Sequence, residues 1–119
     1  MALKDLYQEQ LAQKEAAKVA RCASFAEAKA RLEGLYHSIV DDRAFLDSIH
    51  AEVELLDDDL RIDPGKIMIV VTAQPNGDIR LEYEVKSSAA YKAVVVPEVK
   101  TIEDAERTIA RLLVEYPRD

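Results

Sequence analysis

The chain has 119 residues and carries 16 Lys and Arg against 23 Asp and Glu, a net charge of −7. That length suits a single domain, residues 1–119, with a modest core. Such an acidic balance disfavours direct binding to nucleic acid or to an anionic membrane, since both need a basic face.

Gly and Pro number only three and four, which points to long regular elements joined by few loops. The one cysteine, Cys22, cannot close an internal disulfide. With a charged N-terminus and no apolar run near the roughly 18 residues of a membrane span, it points to a cytoplasmic protein. No cofactor fingerprint is present, because Gly34, Gly65 and Gly77 are scattered and no phosphate loop or dinucleotide motif contains them.

Residues 2 to about 22 read as a helix. Leu3, Leu6, Tyr7 and Leu11 give its first turns an apolar face, and Ala, Gln, Lys and Glu carry the rest by propensity. Ser24-Phe25-Ala26-Glu27 has capping-box spacing, so a break or a change of packing partner is expected near 22–24.

From there a heptad pattern sets in. Phe25, Leu32, Ile39, Leu46, Val53 and Leu60 recur every seven residues, with Ala28, Leu35, Asp42, Ile49 and Leu56 offset by three. Both seam positions are apolar except at Asp42. Either Asp41 or Asp42 can cap a new helix from Arg43, giving two antiparallel helices. The unbroken count favours instead one helix to Leu60, roughly 54 Å long, whose seam needs a coiled-coil partner. The expected interface is therefore Phe25, Leu32, Leu35, Ile39, Asp42, Leu46, Ile49, Val53 and Leu56, with Asp42 setting register and a second copy of the chain as partner.

Asp57-Asp58-Asp59 opposes the dipole at a helix C-terminus, and Asp63-Pro64-Gly65-Lys66 reads as a turn. The period then changes to two. Ile67 to Thr72 is a strand with apolar residues on both faces. Gln74-Pro75-Asn76-Gly77-Asp78 is a hairpin turn. Ile79 to Lys86 alternates cleanly, and Tyr91 to Val96 is a third strand ended by Pro97. Thr101-Ile102-Glu103-Asp104 starts a last helix with an apolar face of Ile102, Ala105, Ile109, Leu112, Leu113 and Tyr116. The expected fold is α+β: a helical hairpin or coiled coil over residues 1–62, then a three-stranded antiparallel meander and a C-terminal helix over residues 63–119.

Candidate chemistry is sparse. Glu33, His37 and Asp41, and likewise Asp47, His50 and Glu54, have helical spacing. The two histidines are 13 residues apart and point in different directions on one helix, so surface pairing is favoured over a metal site. Cys22 reads as a small, partly buried residue. Ser87-Ser88 lacks the flanks of a nucleophile elbow. The acidic set Asp41, Asp57, Asp58, Asp59 and Asp63 suggests a second role, a small phage-type acidic inhibitor that occupies a basic nucleic-acid groove. The favoured role is a non-enzymatic protein-interaction module, homodimeric through the heptad seam.

Overall fold

Residues 3–40 form one helix, α1 (Leu3–Val40), of 38 residues and about 57 Å. The structure, a computed structural model, describes residues 2–86 and 93–117. The other elements are α2 (Arg43–Ile49), β1 (Glu52–Leu55), β2 (Asp59–Asp63), β3 (Ile67–Ala73), β4 (Ile79–Val85), β5 (Val94–Val95) and α3 (Ile102–Glu115). The fold is α+β: a long N-terminal helix, an antiparallel sheet and a C-terminal helix. The sheet has five strands in the order β1-β2-β3-β4-β5, each antiparallel to its neighbour. Three strands were expected, and no helical hairpin forms among the described residues.

The difference lies between Asp41 and Asp63. Asp42 caps α2 by accepting from the Phe45 N–H at 3.1 Å. His50 then adopts the left-handed conformation, φ 51°, and ends α2 after seven residues. Beyond it, Val53 and Leu55 alternate with Glu52 and Glu54, and Leu60 and Ile62 alternate with Arg61 and Asp63. A continuous helix to Leu60 is therefore replaced by a hairpin with Val53 opposite Ile62 and Leu55 opposite Leu60. Of the aspartates that disfavour a helix C-terminus, Asp57 and Asp58 occupy its turn and Asp59 opens β2, the Leu56 N–H closing the turn on the Asp59 carbonyl.

The break expected at residues 22–24 is absent: α1 runs through Ser24 without interruption. What changes there is the packing partner. The β3–β4 turn has Gly77 at φ +92°, and a Cβ on it would lie 3.2 Å from the Ser24 Cβ. The Gly77 N–H donates to the Gln74 carbonyl and the Asp78 N–H to Asn76 Oδ1, both at 2.9 Å. The sheet thus meets α1 at Ser24. From that level on, Ala28, Leu32, Leu35 and Ile39 are buried at the spacing of one helical stripe.

Those four pack with Leu60, Ile62, Ile67, Ile69, Val71, Ala73, Ile79 and Leu81 on one sheet face and with Ala105, Ile109 and Leu112 of α3. The opposite face carries Glu52, Glu54, Arg61, Arg80, Glu82 and Glu84 around half-buried Met68 and Val70. β5 is shorter than the strand expected over 91–96, and residues 91 and 92, with Ser87 and Ser88, lie outside the described residues.

Helix α3 starts as expected. The Thr101 hydroxyl accepts from the Asp104 N–H, and the Asp104 carboxylate accepts from the Thr101 and Lys100 N–H groups. Those backbone donors, Lys100 first and then Thr101, hold the Asp104 carboxyl below its ordinary value.

Candidate interaction surfaces

The heptad residues do not form one seam. Leu32, Leu35 and Ile39 are buried inside the chain's own core, and half-buried Phe25, Leu46 and Val53 pack against it. Ile49 is half-buried beside Pro64 and Tyr116. Leu56 and Asp42 are exposed, Asp42 as the cap of α2. One chain's sheet covers the stripe for which a second helix was expected.

The acidic set is divided as well. Asp41 ends α1, whereas Asp57 to Asp63 follow the β1–β2 turn and β2. Asp57 lies 3.8 Å from Lys29 Nζ, Asp59 lies 3.7 Å from Arg61, and Asp63 takes Lys86 Nζ at 2.6 Å. Asp59 also accepts from the Thr72 hydroxyl, and Asp63 from the Gly65 N–H. Asp58 is half-buried, its carbonyl accepting from the Ala73 N–H. Three of these carboxylates thus face a cation of their own chain, which weakens the field they present to an outside partner.

Glu33 and His37 are 3.9 Å apart across one helical turn. Glu54, by contrast, is in β1 and His50 caps α2, so the second His-carboxylate set is not on a helix. Among the described residues no group of three or more His, Cys, Asp or Glu gathers to hold a metal ion. Cys22 is exposed, not partly buried as its small size suggested.

Among the described residues, two apolar surfaces have the form of a docking element and a groove. The first is the leading part of α1. Every residue from 2 to 23 is exposed; Leu3 is 81% exposed, Tyr7 65%, Leu11 46% and Leu6 43%. The molecule measures 71 × 34 × 20 Å and has a radius of gyration of 18.9 Å, against roughly 13.5 Å for a compact chain of this length. Residues 3–23 therefore form an arm about 32 Å long that extends past the sheet. Helix formers keep it helical, and no cap side chain starts it at Ala2.

The second surface is a groove of about 200 Å³ where the end of α1 meets α2 and α3. Buried Leu35, Ile39 and Ile109 form its base, and Phe45, Ala110 and Leu113 its more open sides, with Ser38 and Glu106 as its polar members. Phe45 is 41% exposed. The arm's apolar stripe was legible as Leu3, Leu6, Tyr7 and Leu11. The groove was not, because three separated segments build it and no periodicity links them. The sequence signal that could have pointed to it was Phe45, an aromatic residue outside both heptad series.

No helix is long and apolar enough to cross a membrane among the described residues. No protein-family model matches the chain, and no curated protein or solved structure shows significant similarity to it.

Proposed function

We propose that this chain is a non-enzymatic, cytoplasmic protein-interaction module whose docking element is the first half of α1. The supporting observation is the arm itself. Twenty-one helical residues extend from the domain with every side chain exposed, and they carry an apolar stripe at positions 3, 6, 7 and 11. Most helical stability in proteins comes from packing an amphipathic face rather than from propensity, and a stripe of this kind is the usual anchor when a helix lies in another protein's groove. The single cysteine supports the cytoplasmic setting. The proposed docking element replaces the heptad seam, whose central residues lie in the core.

The test is a photo-crosslinking phenylalanine analogue placed at Tyr7 in the producing cell, with a second chain carrying it at Val114. Val114 is also 81% exposed, but on α3. A discrete protein adduct from position 7, and none from 114, is expected. Equal adducts at both positions, or none at position 7, would overturn the reading.

A further inference from the structure

The arm and the groove are matched in kind, and we infer that the arm of one copy docks in the groove of a second, giving an antiparallel, two-fold dimer. This rests on the reading of the arm as docking element and names its partner.

The first argument is charge. Lys4, Lys14, Lys18 and Arg21 outnumber Asp5, Glu9 and Glu15 along residues 3–23, a net +1, which leaves −8 on the rest of a chain whose total is −7. The arm is thus a mildly cationic stretch of a strongly anionic molecule. Glu106 lines the groove, and Asp41 and Asp42 follow the end of α1 beside it. A basic groove on a foreign partner would suit the body of this chain better than its arm. The body of a second copy suits the arm.

The second argument is register. Setting Tyr7, the middle of the apolar stripe, level with Ser38 in the groove makes residue i of one α1 level with residue 45 − i of the other. Leu6 then comes level with Ile39 and Leu11 with Gly34, next to Leu35. Lys4 comes level with Asp41 and Lys18 with Glu27, against the single like-charged level of Lys14 with Arg31. All six of these charged residues are exposed. Gly34 is exposed on α1, and a Cβ built on it meets nothing within 4 Å. The glycine leaves free space at the level where Leu11 arrives.

The third argument is closure. An arm that reaches its own sheet level at Ser24 cannot fold back along its own straight helix, so the groove is out of its own reach. In the antiparallel pair each copy gives one arm and one groove, and the same contact is made twice, as a two-fold interface requires. The dyad falls between Cys22 and Ala23. With helix axes about 8–10 Å apart, the two Cys22 thiols, exposed in the single chain, come within the span of a short bis-maleimide.

The experiment combines light scattering over a concentration range with Cys22 crosslinking on the full chain. Leu6→Glu with Leu11→Glu tests the arm, and Ala110→Glu, at an exposed groove position, tests the groove. Circular dichroism checks that each variant keeps its fold. A two-chain mass is expected, with efficient Cys22-to-Cys22 adducts and at least tenfold weaker association in both variants. A dimer that survives Ala110→Glu, or one whose Cys22 thiols do not crosslink, overturns docking in the groove at this register and leaves the arm reading intact. A single-chain mass at every concentration overturns the second copy as partner, while the Tyr7 adduct decides the arm reading separately.

Discussion

The two halves of α1 share one unbroken backbone and are held by different physics. Residues 24–40 bury Ala28, Leu32, Leu35 and Ile39 against the sheet and α3. Residues 3–23 bury nothing within the chain and stay helical by propensity and by continuation from the docked half, which supplies the nucleus that an isolated helix lacks. One half is therefore part of the cooperative core, and the other is an extension that can fray without unfolding the domain. A helix that is uniform in secondary structure need not be uniform in stability, and here only the second half takes part in the core.

The sharpest way to break this contrast is a pair of leucines. Leu32 is 1% exposed and Leu11 is 46% exposed on the same helix. Leu32→Ala should lower unfolding stability by about 2–5 kcal/mol through lost burial and a residual cavity. Leu11→Ala should change it by no more than about 0.5 kcal/mol when measured at a concentration that keeps the chain monomeric. Urea unfolding of both variants reads the difference directly. Equal losses would mean that the arm belongs to the core after all.

The start signals of the two long helices give a second, smaller test. α3 opens with a reciprocal cap between Thr101 and Asp104, whereas α1 opens at Ala2 with no side-chain cap. Thr101→Ala should cost about 1 kcal/mol of global stability. Ala2→Ser should add a cap to the arm and leave global stability unchanged. The Asp104 carboxyl has its value lowered in the folded state by the Lys100 and Thr101 N–H groups. Its contribution is therefore fully present above the ordinary carboxylate value of 3.8 and is lost as the pH falls below that through the folded value. Asp104→Asn should flatten the acid limb of the stability profile below pH 3.8. An unchanged limb would show that the charge of the Asp104 carboxylate contributes nothing to folding.

The same contrast explains what the sequence allowed to be read. Turns with local chemistry were legible: Asn76-Gly77 closes the β3–β4 hairpin, Asp63 accepts from the Gly65 N–H, and Thr101 caps α3. The C-terminal half of the sheet and the last helix followed from them. Residues 51–60 misled because Leu46, Ile49, Val53, Leu56 and Leu60 satisfy a heptad count, while Glu52–Leu55 and Asp59–Asp63 also satisfy a period of two. What decided between them were two single residues, Asp42 as a cap and His50 in a left-handed conformation, and only the first can be suspected from residue type. Phe25, Leu32 and Ile39 were recognised as one apolar stripe, but periodicity does not say whether a sheet or a second helix covers it. At Ser24 the composition changed because the packing partner changed, while the helix itself continued. The groove was illegible because Leu35, Phe45 and Leu113 meet only through the tertiary fold.

The smallest effect is expected at Gly34, and it separates folding from binding most cleanly. Gly34 sits inside α1, in the docked half, where glycine disfavours the helix by about 1 kcal/mol relative to alanine. A Cβ placed there touches nothing within 4 Å, so no packing within the chain offsets that loss. In the monomer Gly34→Ala should therefore raise stability, by about 0.5–1 kcal/mol. In the antiparallel pair the same methyl group enters the space at the level of Leu11 from the other copy, so association should weaken while the monomer gains. Urea unfolding at low concentration gives the first quantity and light scattering at high concentration the second. Opposite signs are what a glycine kept open for a partner helix requires. A gain in both would mean that the open space at Gly34 is never filled, and that the arm, wherever it docks, does not come to rest there.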